Sequence, residues 1–372
     1  MSDCSTVIGI DLGDKQSIYT VLDVASGEEL QSGTVHTTRA GLTRVFGSFA
    51  SSRFVVEACG SSRWVSEHLA GMGHEVLVGN TRKVRCIYDT DNKSDARDAD
   101  MLARLGRLDP KLLYPIRHRS KEAQQHMAVL KARDAIVGTR TKLVNHVRST
   151  VKGFGERLPS CSTDSFPNKV AGALPKELHG ALAPIIELIG QLTTEIRAYD
   201  KKIQALCKHY SEAELLLSIP GVGPLTALSY LLTVEFPERF EDSRDVPAYF
   251  GLTPRRDQSG DTDKQLRITK AGNGFVRRML VNAAQYILGV KCRQDSELRR
   301  WGLRLAERGG KNGKKRAVIA VARKLAVLLH RLWINGMLFD PFPHGEPEVA
   351  TLDSPTETGP PVPLSPSVAA HG

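Results

Sequence analysis

A buried strand that ends in a carboxylate is the feature that most restricts this chain. In Val7-Ile8-Gly9-Ile10-Asp11, residues Val7, Gly9 and Asp11 point to one face and Ile8 and Ile10 to the other. That is the pattern of a strand covered on both sides. A charge inside an apolar sheet is costly unless something pairs with it. An acid at the carboxyl end of such a strand, where the chain turns out, is therefore a candidate metal ligand or catalytic group. Glu57 and the pair Asp95/Asp98 are further acids placed to join it; the plainer reading of each alone is a cap or a surface charge.

Residues 5–106 read as alternating strands and helices. Strands at Val7–Asp11, Ser17–Leu22 and Leu30–His36 are joined by short connections and so pair antiparallel. A helix from Arg39 to about Ala50 crosses over to a fourth strand, Arg53–Glu57, which that crossover makes parallel to an earlier one. Ser61 and Ser62 open a helix leading to a fifth strand, Glu75–Val78, and a helix over Ser94–Leu105 closes the unit. The order βββαβαβα is that of the RNase H-like fold, in which the first and fourth strands lie side by side. Asp11 and Glu57 then end on adjacent parallel strands, and Asp95 and Asp98 share one helical face. Four carboxylates from three elements fit two-metal phosphoryl chemistry, with two Mg²⁺ ions about 3.5–4 Å apart.

The 372 residues carry a formal charge of +10, and 41% are hydrophobic and 25% charged, as in globular proteins with room for several domains. The charge is local. Residues 111–160 hold 11 Lys/Arg against 3 Asp/Glu, residues 299–331 hold 11 against 1, and residues 341–372 hold four acids and no Lys or Arg. One basic helix is usually a solvated face; two such stretches point to a polyanionic partner. Cys4, Cys59, Cys86, Cys161, Cys207 and Cys292 form no CxxC motif, which argues against a zinc site or a disulfide framework. The expectation is a cytoplasmic protein, with neither signal peptide nor membrane span.

From Leu182 the apolar positions Leu182, Ile185, Ile189, Leu192, Ile196, Tyr199, Ile203 and Leu206 step by threes and fours, a coiled-coil seam. An earlier helix, about 121–154, spaces Leu130, Val137, Val144 and Val151 one heptad apart, with Arg133, Arg140 and Arg148 around them. An antiparallel helical hairpin satisfies both seams; so does dimerisation. Further on, Ile219-Pro220-Gly221-Val222-Gly223-Pro224 has the layout of a helix-hairpin-helix, whose turn at Gly221 and Gly223 offers backbone N–H groups to a phosphate; a plain Gly-rich helical hairpin is the alternative. Residues 251–260 read as a polar loop bearing Arg255, Arg256 and an exposed Ser259-Gly260. Lys270 and the N-cap Asn273 lead into a helix over Gly274–Leu288, with Arg277 and Arg278 placed for a second phosphate contact. A basic amphipathic helix spans about Lys314–Trp333, and the chain from Pro341 has a disordered composition.

These motifs together resemble those of the DEDD transposases of the insertion-sequence-110 family, the bridge-RNA-guided recombinases. The resemblance rests on Gly9-Ile10-Asp11, Glu57, Lys93-Ser94-Asp95-Ala96-Arg97-Asp98-Ala99, Ile219–Pro224, Ser259-Gly260 and Ile268-Thr269-Lys270-Ala271-Gly272-Asn273. It runs in order from about residue 5 to residue 335. It implies an α/β, RuvC-like (RNase H-like) domain over 1–110 whose Asp11, Glu57, Asp95 and Asp98 bind Mg²⁺. It also implies a basic coiled-coil region over 111–211 and an all-α transposase domain over 212–340 with Ser259 as nucleophile, leaving 341–372 as a tail outside the shared pattern. The implied partners are donor and target double-stranded DNA, an element-encoded structured RNA, and further copies of the chain in a dimer or tetramer, within a bacterial cytoplasm at the nucleoid. No histidine neighbours Ser259, so a metal is the simpler activator of its hydroxyl, and Arg255 and Arg256 are placed to neutralise the scissile phosphate. Guidance by RNA pairing also accounts for the lack of a base-reading motif.

Three other readings compete. A Holliday-junction-resolvase-type nuclease would use the four acids to activate water, with no role for the serine. A non-catalytic nucleic-acid binder would need neither. An actin-like ATPase shares Ile8-Gly9-Ile10-Asp11-Leu12-Gly13, but the later phosphate and adenosine loops of that class do not occur here.

Overall fold

The computed structural model describes residues 4–84, 94–260, 262–343 and 345. Lys93, Cys86 and almost all of the 341–372 tail lie outside the described residues. Two compact units divide the chain, Met1–Ser120 and Lys121–Gly372.

In the first unit the strands are β1 (Thr6–Asp11), β2 (Gln16–Asp23), β3 (Glu29–His36), β4 (Arg53–Glu57) and β5 (Glu75–Gly79). They form one sheet in the order β3-β2-β1-β4-β5. β1 is antiparallel to β2 and parallel to β4, with Gly9 opposite Val55 and Ile10 opposite Val56. The expected neighbouring of the first and fourth strands is what the sheet shows.

Both faces of the sheet are covered. On one, Ile8, Ile10, Tyr19, Phe54 and Val56 pack against α1 (Arg39–Phe46) and α2 (Ser62–Gly71). Phe46 meets Tyr19 and Phe54 edge-on at 5.1 Å each, the geometry that ring quadrupoles favour. On the other, Val7, Leu22 and Val55 pack against Leu102, Ala103 and Leu105 of α3 (Asp95–Leu108). α3 sits close because glycines face it. A Cβ on Gly9 would stand 2.0 Å from the Ala99 carbonyl oxygen, and one on Gly106 would stand 2.3 Å from Val55 Cγ2.

The second unit opens with α4 (Lys121–Gly153), α5 (Phe166–Val170) and α6 (Lys176–His209). α4 and α6 run antiparallel along their length, as the pairs Glu122–His209, Arg133–Asp200 and Arg140–Thr193 require. Of the two arrangements open to the seams, the chain folds on itself. The buried stripe of α6 is Leu178, Leu182, Ile186, Ile189, Thr193, Ile196, Ile203 and Cys207, so Ile185, Leu192 and Leu206 of the expected seam each give way to the residue that follows. Thr193 and Cys207 replace Leu192 and Leu206 at the most buried places. Arg140 likewise lies inside the seam, where it donates to Asp164 at 2.6 Å and Thr193 at 3.2 Å.

The rest of this unit packs around α8 (Pro224–Val234), which follows the short α7 (Glu212–Leu217) across a glycine turn. Every residue from Thr226 to Val234 is buried. The Tyr230 hydroxyl finds its partner in the Ala326 carbonyl, 2.8 Å away. α9 (Val246–Tyr249), α10 (Gly274–Leu288), α11 (Glu297–Arg308) and α12 (Gly313–Asn335) complete the shell. The segment read as a polar loop is instead the start of a hairpin, β6 (Pro254–Ser259) paired antiparallel with β7 (Thr262–Ile268). Nearly all of its residues are exposed, so no apolar alternation marks it in the sequence.

Candidate active site

Backbone alternation decides where the acids of the first unit stand. Gly9 and Val55 face α3, so Asp11 and Glu57, two residues further along β1 and β4, face it too. α3 runs back along β1, with Ala99 and Ala103 over Gly9 and Gly106 near Val7 and Val55. Its first turn therefore lies at the carboxyl edge of the two strands. Asp98 belongs to the buried stripe that includes Leu102 and Leu105 and is 9% exposed. Asp95 is exposed one turn earlier, next to the N-cap Ser94, whose hydroxyl accepts from Arg97 N. The helix dipole adds to the stability of both carboxylates there.

The four acids thus occupy one edge and one face. Their carboxylates are not gathered into a cage: among the described residues no three His, Cys, Asp or Glu side chains come close enough to hold a metal ion.

In the second unit Ser259 is exposed and ends β6, paired with Thr262 just before the turn that Gly260 enters at φ +53°. β6 and β7 form a sheet of two strands only, and such ribbons are marginal by themselves. Across this one Arg256 clamps Asp263 with two bonds, 2.8 and 2.6 Å, which holds the Asp263 carboxyl below its ordinary pKa.

Two family models match the chain. One, described as transposase and bearing the IS110 DEDD name, covers residues 8–155; the other, described as transposase IS116/IS110/IS902 family, covers residues 213–299. The chain belongs to the IS110 family of transposases. Among its relatives, the transposase for insertion sequence element IS1111A of Coxiella burnetii is 29% identical over 80% of this chain and 83% of that protein. A probable family 20 transposase of Pseudomonas aeruginosa is 26% identical over 87% and 96%. The transposase for IS1328 of Yersinia enterocolitica is 26% identical over 80% and 88%. As an IS110-family transposase, the chain is a DNA-recombining enzyme of an insertion sequence.

Several residues picked from this transposase's sequence as nucleic-acid contacts have internal partners. Asn273 caps α10, its Oδ1 accepting from Phe275 N and Val276 N while its Nδ2 donates to Thr233. Arg277 donates to the Phe250 and Ala271 carbonyls at 2.8 and 2.7 Å, tying two loops together. Arg278 pairs with Asp134 on α4 at 2.5 Å. Gly221, at φ +88°, packs against Tyr286 and Ala283 of α10, while a Cβ on Gly223, the N-cap of α8, would meet nothing. Arg255 and Lys270 are exposed. Gly106, which lets α3 sit close to Val55, belongs to none of the sequence motifs. Its signal is the run of small residues Ala99, Ala103 and Gly106 on the face that meets the sheet, spaced as a close-packing helix face requires.

Proposed function

We propose that the chain is an RNA-guided transposase that cuts and exchanges DNA strands through Ser259, with divalent cations, Mg²⁺ by preference, held by Asp11, Glu57, Asp95 and Asp98. The observation that supports this reading most is the register of β1 on β4, under the first turn of α3. An all-carboxylate donor set suits a hard cation. Neighbouring strands lie about 4.8 Å apart, so side-chain rotation alone lets Asp11 and Glu57 share an ion. Bound there, the metal would lower the pKa of an attacking hydroxyl and neutralise phosphate charge.

The chain's own residues divide the remaining work. Ser259 Oγ attacks a DNA phosphorus; the Oγ–P bond forms as the P–O3′ bond breaks, and the serine proton leaves as the 3′-oxygen departs as a hydroxyl. In the exchange, a 3′-hydroxyl of the partner strand attacks that phosphoserine, and Oγ regains a proton. Arg255 and Lys270 hold the phosphate near the hairpin. The turn through Gly221 and Gly223, read as a helix-hairpin-helix, grips a neighbouring backbone phosphate. Sequence choice is left to pairing with a structured RNA, and a dimer or tetramer brings the RuvC-like unit of one subunit to the Ser259 hairpin of another.

The test is a trapped intermediate. With DNA and Mg²⁺, denaturation should leave a protein–DNA adduct whose phosphate maps to Ser259 by mass spectrometry, and Ser259→Ala should abolish it. Strand cleavage that survives Ser259→Ala would move the reading to a resolvase-type nuclease using activated water.

A further inference from the structure

A groove of roughly 1440 Å³ runs beside α12 and takes its other side from β7 and the residues that follow it. Along α12 the lining repeats every four residues as Lys315, Ile319, Arg323, Val327 and Arg331. Cations therefore recur about 12 Å apart along the helix, with an apolar side chain between each pair. Arg267 and Lys270 add positive charge from the opposite side, against Glu297 and Asp340. Among the described residues, Arg267, Lys315, Arg323 and Arg331 enter no ion pair. Trp301 lines the same groove and carries the Lys324 ammonium 4.8 Å from its ring centre.

We infer that this groove is a binding site for an unpaired DNA strand. Cations alternating with apolar groups, beside an indole, match a ligand with a charged backbone and flat bases. A duplex offers phosphates but keeps its bases stacked inside, leaving Trp301, Ile319 and Val327 unused. The volume suits a run of about four nucleotides, the short end of single-strand site sizes. The strand is DNA because transfer chemistry frees an unpaired DNA end; in that respect alone the inference rests on the transposase reading.

Fluorescence anisotropy with a labelled 15-nucleotide single strand, the matching duplex and an RNA of the same sequence tests it on the full chain. The single strand should bind more tightly than either. The exposed triple variant Lys315→Gln/Arg323→Gln/Arg331→Gln should weaken it at least tenfold and lower the slope of log K against log salt by about 2. Trp301→Leu should weaken single-strand binding about tenfold with an unchanged salt slope, whereas Gly60→Ala, where a Cβ meets nothing within 4 Å, should bind the strand as the unaltered protein does. Equal affinity for duplex, tighter binding of RNA, or groove variants that bind as before would overturn the inference. So would strand binding that appears only after removal of residues 346–372, which would give the groove to the chain's own acidic segment. Failure of the Ser259 adduct with groove binding intact would refute the transfer chemistry instead.

Discussion

Gly9→Ala should unseat α3. A methyl there stands 2.0 Å from the Ala99 carbonyl oxygen and 2.5 Å from Ala103 N, where ordinary contact begins at 3.4 Å. Both obstacles are helix backbone, so no side chain can swing aside; α3 has to move away from β1 by more than 1 Å. Overpacking of this kind costs typically about 1–3 kcal/mol, and two backbone clashes place Gly9→Ala at the upper end. Asp95 and Asp98 move with the helix, and a displacement of about 1 Å in a reacting site costs on the order of 100-fold in rate. Urea unfolding should show a loss of about 3 kcal/mol, and strand cleavage under conditions where the variant stays folded should fall about 100-fold. Gly60→Ala is the control, because a Cβ there meets nothing within 4 Å. Stability and activity both unchanged in Gly9→Ala would refute the placement of α3, and with it the placement of its two acids.

Three further outcomes follow from the same structure. Burial lowers the pKa of His74 and, with help from Arg63, that of His118, below the ordinary 6.5. The unfolded chain therefore binds protons first, so stability should decline as pH falls through 6.5 and below. Melting curves at pH 7.5 and 5.5 should show that decline, and His118→Gln should reduce it. Arg140 is buried with its Nε unpartnered, while its partner Asp164 is half exposed; Arg140→Met should therefore change stability by less than about 1 kcal/mol, and a larger loss on denaturation would show that the pair holds the hairpin together. Cys59 is exposed, whereas burial pushes the Cys207 thiol up to about 11. Peptide mapping after iodoacetamide at pH 8 should find Cys59 alkylated and Cys207 intact until the chain unfolds.

The first unit was legible because its strands alternate cleanly. Val7 to Asp11 and Arg53 to Glu57 each send one set of residues to α1 and α2 and the other to α3, and a period of two fixes which face an acid takes. The helical hairpin was legible as a pair of seams, but not in its register detail, because Thr193, Cys207 and Arg140 take buried places that a count of apolar residues leaves out. β6 and β7 escaped notice for the opposite reason, since almost nothing in them is buried. α11, between Glu297 and Arg308, was hidden by its charge, burying only Leu298 and Gly302. Asn273 and Arg277 show where sequence reasoning about ligands ends. A cap and a carbonyl clamp use the same polar atoms that a phosphate would, and only the folded chain shows the cap and the clamp.

Manganese binding followed by electron paramagnetic resonance tests the carboxylate edge most directly. Mn²⁺ should bind the full chain, be displaced by Mg²⁺, and be lost in Asp11→Asn, Glu57→Gln and Asp98→Asn while circular dichroism stays that of the unaltered protein. Binding that persists in all three variants would show that the edge shared by β1, β4 and α3 holds no ion.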